Sequence, residues 1–207
     1  DIRTTGGNGS IVLRSLTGTI TLTNGSAPGG ASTPADGIAL SADGSGNVLV
    51  QAMAGQLTLD NNADVVSGSG HITLLGAENV QLNTGADVRS TSGSIDVESG
   101  AAVLMSDTSL ITSTGDIRIV AATDLTLGGV STSGNVSLVA TAGTIIDGGD
   151  SLVDIVAARA RLTAGTGIGS GVNHIETTVA TLSAVSGSGG VFLLESDGLT
   201  VGDVGVT

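Results

Sequence analysis

A chain of 207 residues with 34 Gly, one Phe and no Tyr, Trp or Cys, in which six basic residues face nineteen acids for a formal charge of −13, is bounded first by what it lacks. All six cations are Arg, so nucleic acid, which needs clustered positive charge and aromatic stacking platforms, is not an expected partner; a ring-lined sugar groove and a disulfide or thiolate framework are excluded by the same inventory. Gly, Ser, Asp or Asn interrupts every apolar run before the roughly 18 residues of a membrane helix, leaving no transmembrane segment, and the aromatic girdles of an outer-membrane barrel have no residues to form them.

The chain opens on Asp1-Ile2-Arg3, with neither a Met nor a basic region followed by an apolar stretch, and reads as a mature piece of an exported protein. From there the pattern Gly-x-aliphatic-x-aliphatic recurs, as Gly18-Thr-Ile-Thr-Leu22, Gly55-Gln-Leu-Thr-Leu59, Gly70-His-Ile-Thr-Leu74, Gly93-Ser-Ile-Asp-Val97, Gly115-Asp-Ile-Arg-Ile119 and Gly134-Asn-Val-Ser-Leu138. Short runs alternating apolar with polar residues between turn formers are strands. Between the first two, residues 24–37 hold both prolines and read as a loop bulging from one corner, because Pro cannot donate to a central ladder.

From Gly70 to Gly93 is 23 residues, to Gly115 a further 22, and to Gly134 a further 19. A period of roughly 22 lies in the solenoid range. Within it a second apolar pair follows the first (Val80 and Leu82, Val103 and Met105, Leu125 and Leu127), and then a third segment (Val88, Leu110, Val130). The pattern predicts an all-β parallel β-helix over residues 1–207, a single β-solenoid with three short strands per turn and about nine turns, every strand pairing with its equivalents above and below. Ile72, Ile95, Ile117 and Val136 then stack inward, while Thr73, Asp96, Arg118 and Ser137 face out. Glycines at Ser67-Gly-Ser-Gly70 and Ser92-Gly93 mark corners expected to use positive φ. From Leu152 to Leu162 a helical stripe competes with strands at 154–157 and 160–163; the strands continue the alternation.

The ends repeat the interior. Asp1-Ile2-Arg3 matches Asp116-Ile117-Arg118, and the stretch from Gly198 through Leu199, Val201 and Val204 matches residues 124–130. Six positions separate Val130 from Val136, and five would separate Val204 from Ile2 of a following copy. A solenoid without polar caps exposes strand edges that recruit other chains. Asp1, Ile2, Arg3, Leu199, Val201 and Val204 are therefore the expected assembly edges, and a second copy of the chain, head to tail, is the expected partner, either as a tandem repeat within a longer chain or as a subunit of an end-to-end polymer, with other surface or matrix components as further partners.

The runs Ser113-Thr-Gly-Asp-Ile-Arg-Ile119, Ala164-Gly-Thr-Gly-Ile-Gly169, Glu176-Thr-Thr-Val-Ala-Thr-Leu182 and Gly187-Ser-Gly-Gly-Val-Phe-Leu193 resemble the strand repeats of giant bacterial exoproteins, the filamentous-haemagglutinin-like adhesins. The likeness spans nearly the whole chain. It implies a β-helix and an extracellular or cell-surface, bacterial location.

Chemistry-bearing residues are sparse. His71 and His174, far apart in sequence, read as solvated surface, since metal and triad sites need several converging groups. Asp147, Asp150 and Asp154 form the densest acidic group, of the kind that holds calcium, although turn chemistry by Asp and Gly explains the same residues. Asp96 beside Arg118 of the next turn predicts a surface ion pair, not the paired carboxylates of a glycosidase. No catalytic site and no cofactor other than that calcium are expected. Outward Thr21, Thr58, Thr73 and Thr126 raise ice binding, but Asp96 and Arg118 interrupt the row. The reading is a structural rod or fibre segment serving adhesion or matrix; the alternative is an adhesive binding module that recognises a surface ligand through the 24–37 loop.

Overall fold

Alternation of aliphatic and polar residues becomes strand in every repeat. The computed structural model describes residues 1–25, 37–150 and 152–205, and among these it contains strands and turns and no helix. The expected corner loop at 24–37 lies outside the described residues from 26 to 36; at its base the Gly37 amide donates to Asn24 Oδ1 at 3.1 Å.

The strands stack parallel in three columns. The first column is Ile11–Ser15, Val48–Ala52, Ile72–Gly76, Ile95–Ser99, Ile117–Ala121 and Asn135–Ala140. The second is Ile20–Leu22, Leu57–Leu59, Val80–Leu82, Val103–Met105, Leu125–Leu127, Ile145–Asp147, Gly167–Ile168 and Gly190–Val191. The third is Ile2–Arg3, Ile38–Ala42, Asp64–Ser67, Val88–Ser90, Leu110–Ser113 and Gly129–Thr132. The fold is thus a parallel β-solenoid, and the repeats at Gly18 and Gly55 belong to its second column.

Register carries the core. Ile72 pairs with Ile95, Ile95 with Ile117 and Ile117 with Val136, all four buried. In the third column Val88 pairs with Ile111, not with Leu110, and Ile111 pairs with Val130. The apolar stack therefore runs one residue later than the sequence placed it, and Leu110 is only partly buried. Each aliphatic buried in this way contributes about 1.5–3 kcal/mol.

The one-residue shift has a polar cause. Two positions after the inward aliphatic of the third column stand Ser67, Ser90, Ser113 and Thr132, pointing inward and shielded from solvent. Their hydroxyls donate to the carbonyls of Gly46, Gly70, Gly93 and Gly115 in the turn before, at 2.8, 2.8, 2.5 and 2.6 Å. They accept from the amides of Gly70, Gly93, Gly115 and Gly134 in their own corner, at 3.0, 3.0, 2.9 and 2.9 Å. Five successive turns are linked by this relay. Positive φ is not why glycine stands there: Gly70 and Gly93 are not among the positive-φ residues, which include Gly44 and Gly85. A Cβ on Gly70 would come within 2.1 Å of Gly46 O, and one on Gly93 within 2.1 Å of Gly70 O. Close approach between turns demands these glycines.

The corner between third and first columns shortens along the rod. Counted between the inward residues of the two columns, it runs from Ile2 to Ile11 (nine positions), Leu40 to Val48 (eight), Val65 to Ile72 and Val88 to Ile95 (seven), and Ile111 to Ile117 and Val130 to Val136 (six). Ile155 to Ala160 and Thr177 to Leu182 are five apart, and there the corner vanishes. Ile155–Ala164 and Ile175–Ser186 are single strands that serve both columns and fuse them into one sheet. Where Ser133-Gly134 bends the preceding turn, Ala157-Ala158 continues straight. The late turns consequently hold two strands, not three, and in place of the two strands expected at 154–157 and 160–163 there is one continuous strand, Ile155–Ala164. Eight second-column strands make seven turn-to-turn steps, about 34 Å at 4.8 Å each. That is fewer turns than the nine expected, and Leu193–Glu195 with Thr200–Val201 start a layer without a second-column strand among the described residues.

Ser90→Ala strands the Gly70 carbonyl and the Gly93 amide together and is expected to cost about 1–3 kcal/mol in urea unfolding. Gly93→Ala, which forces the two turns apart, is expected to cost at least as much.

Candidate metal centre

In the second column, the last inward position is Leu22, Leu59 and Leu82 in successive paired strands, and Leu127 further along. Asp147 pairs with Leu127 and occupies that position with a carboxylate, 5 % exposed. Its Oδ1 accepts the Gly149 amide at 2.6 Å, while Asn173 Nδ2 donates to its main-chain carbonyl at 3.4 Å. Burying a carboxylate in an aliphatic stack is unfavourable without a compensating charge or proton.

A second corner supplies two more. Residues just before the third-column aliphatic form an acceptor ladder: Asp64 Oδ1 takes the Asp87 amide and Asp87 Oδ1 the Leu110 amide, both at 3.0 Å. Asp154 repeats this position and takes the Glu176 amide at 3.0 Å through Oδ2. Because Ile155 pairs with Thr177, Glu176 lies directly over Asp154, one turn on. Asp154 is 1 % exposed and Glu176 partly buried. One oxygen from each of Asp147, Asp154 and Glu176 lies within 4.8 Å of the others. Asp147 Oδ2, Asp154 Oδ1 and Glu176 Oε2 are buried without a hydrogen-bond partner among the described residues.

The earlier corner is balanced by a cation. Arg89 reaches Asp64 at 2.7 Å and Asp87 at 2.8 Å, although burial, and then the Asp64 charge, still raise Asp87. No ion pair among the described residues reaches Asp147, Asp154 or Glu176. Burial above all, then the Asp147 and Glu176 charges, push Asp154 up to about 8, against the pull of the Glu176 amide.

Of the calcium ligands read from the sequence, Asp147 and Asp154 come together and Asp150 does not: it is exposed and outside the cluster. Glu176 takes the third place. It sits 22 residues after Asp154, one period away, a spacing that Asp64 and Asp87 already display at 23. The Asp96–Arg118 pair forms at 2.7 Å, with Arg118 also holding Glu98. His71 is exposed and its Nδ1 accepts the Ser94 amide at 3.0 Å, a corner tie between turns; His174 meets Phe192 edge to face at 6.4 Å. The outward threonine row is broken within the second column too, where Gln81 and Leu104 follow Thr21 and Thr58.

The expected assembly edges divide. Asp1, Ile2 and Arg3 lie at one end of the sheet, Ile2 pairing with Leu40 and Arg3 reaching Asp1 at 3.1 Å. Leu199 and Val201 are exposed at the other. Val204 does not continue a column. After the Gly202 amide bonds the Leu182 carbonyl, Val204 and Gly205 come onto the outward row and line a groove of about 380 Å³ with Asp96, Arg118, Ser137 and Arg161. Val204 is buried there at 2 % exposure.

Comparison with family models, curated proteins and solved structures gives no match to this chain. The likeness to filamentous-haemagglutinin-like repeats accordingly stands on the strand motifs alone.

With chelator present, Asp154→Asn removes the cost of burying an ionisable carboxyl and keeps the shape, and is expected to raise the melting temperature by roughly 2–4 °C for each kcal/mol relieved. The sign with pH follows from the raised value: the folded carboxyl holds a proton that the unfolded chain sheds above about 4. Its contribution to stability is full below about pH 4 and is lost as pH climbs through about 8. Melting curves across that window should fall for the parent and flatten for Asp154→Asn.

Proposed function

We propose that the chain is a structural segment of an extracellular rod or fibre on a bacterial surface, joined head to tail to its own kind by strand pairing, as a tandem array or an end-to-end polymer, and serving adhesion or matrix. The observation carrying this reading is the state of the two terminal layers. Among the described residues, Ile2–Arg3, Ile11–Ser15 and Ile20–Leu22 pair with a strand on one side only, and so do Gly190–Val191, Leu193–Glu195 and Thr200–Val201. Half of the exposed large apolar side chains among the described residues lie on the same layers: Ile2, Val12 and Leu16 in the first turn, and Val191, Leu194, Leu199 and Val201 in the last. One-sided pairing with exposed aliphatics is the condition under which edges recruit further strands. A charge of −13 on the whole chain opposes sideways clustering while leaving lengthwise pairing available. The likeness to adhesin repeats favours the surface location.

The join has a geometric demand. Inside the rod the third-to-first corner changes by at most one position per turn, but a junction would set the nine-position corner at Ile2 over the six from Glu195 to Val201. Pairing along the columns, with the corner bulging outward, meets that demand.

Sedimentation and negative-stain electron microscopy test the proposal. Elongated species that grow with concentration are expected, and Ile2→Lys combined with Val201→Lys is expected to suppress them. A particle one unit long at every concentration would overturn it.

A further inference from the structure

We propose that Asp147, Asp154 and Glu176 form a calcium site that rivets two successive turns of the solenoid. The second-column carboxylate Asp147 stands where the preceding strands place leucine or methionine, and the third-column pair Asp154 and Glu176 is stacked as Asp64 and Asp87 are. The Asp64–Asp87 stack is neutralised by Arg89; the Asp154–Glu176 stack carries a third carboxylate in place of an arginine. A cation is what the second arrangement lacks.

The donor set identifies its class. Three carboxylates with no Cys, and with neither His in the cluster, suit a hard ion and not zinc. Calcium takes six to eight oxygens in flexible geometry, which a partly open site of three carboxylates completed by water can offer, whereas magnesium demands near-ideal octahedral geometry and gives up its waters reluctantly. Each carboxylate also keeps a buried oxygen without a partner among the described residues, and two of the three side chains are more than nine-tenths buried. Glu176, the more open of the three, leaves a side for water to complete the six or more ligands calcium takes.

The site lies where the architecture changes. Asp147 ends a second-column strand of the three-strand region, Asp154 immediately precedes the first fused strand, and Glu176 lies inside the second, Ile175–Ser186. An ion bound by all three ties the cornered part of the rod to its flattened part.

The test uses the full chain stripped with chelator, followed by isothermal titration and thermal melting with calcium chloride up to about 10 mM, ten times the weakest usual extracellular affinity. With one Phe and no Trp or Tyr the chain gives little lanthanide sensitisation, so heat and melting are the readouts. One calcium per chain is expected, with a melting shift of roughly 5–10 °C at a hundredfold excess over Kd. Asp154→Asn and Glu176→Gln are expected to abolish the shift while remaining folded in chelator, and Asp150→Asn to retain it. No shift at any calcium concentration, or a full shift in both variants, would overturn the site; an equal shift from magnesium would overturn its assignment to calcium.

Discussion

In a parallel solenoid every residue lies over its own counterpart one turn away, and this superposition governs the rest of the molecule. Like stacks on like by default. For aliphatic positions that is favourable without further provision, as the Ile72, Ile95, Ile117 and Val136 column shows. For hydroxyls it is favourable if each can donate to one turn and accept from its own, which is the arrangement at Ser67, Ser90, Ser113 and Thr132. For charges it is unfavourable, because stacking brings equal signs within about one strand spacing. The chain meets this in three ways. It alternates sign along a row, with Asp96 beside Arg118. It bridges a like pair with an arginine, with Arg89 on Asp64 and Asp87. At Asp154 and Glu176 it adds a third acid.

Superposition also explains why the corner changes readily while the columns hold register, broken among the described residues at the bulge between Ile38 and Leu40. A column residue pairs on both sides, so an insertion within a strand would turn its side chains to the wrong face. A corner residue is constrained mainly by the neighbouring corner. Gradual shortening from nine positions to five is tolerated because each turn differs from the one beneath it by at most one residue, until Ala157 and Ala158 need no bend at all.

The columns were legible in the sequence because their alternation has a period of two and their spacing a period near 22; no tertiary knowledge is needed to align Ile95 with Ile117. Leu110 was misplaced because Leu110 and Ile111 are both aliphatic, and hydrophobicity alone does not choose between neighbours. The deciding residue was Ser113, whose hydroxyl must face inward to reach Gly93. Fusion of the last strands was hidden for a related reason: alternation persists from 154 to 163, and only the absent Ser/Thr–Gly corner marks the change. Asp147 and Asp154 were visible as a local acidic group, and Asp150 was grouped with them because proximity in sequence stood in for proximity in space. Glu176 was findable by adding one period to Asp154, the offset that already relates Asp64 to Asp87.

The two inferences place different demands on the same rod. Lengthwise assembly uses the outermost layers, where pairing is one-sided and aliphatics are exposed. The calcium site lies just inside one end, where Glu176 pairs with Leu194 of the last layer, at the passage from bent to straight strands. Solenoid stability is close to a sum of nearest-neighbour terms, so an unfavourable interface between two turns is not averaged away by the rest of the stack but remains a local weak point. Three carboxylates at such an interface would let it open first, separating the flattened end from the cornered body. An ion there converts the weakest interface into a joint whose strength depends on the medium. A rod assembled where calcium is plentiful would stay whole under tension, and one kept without it would fray from the end that carries Val201.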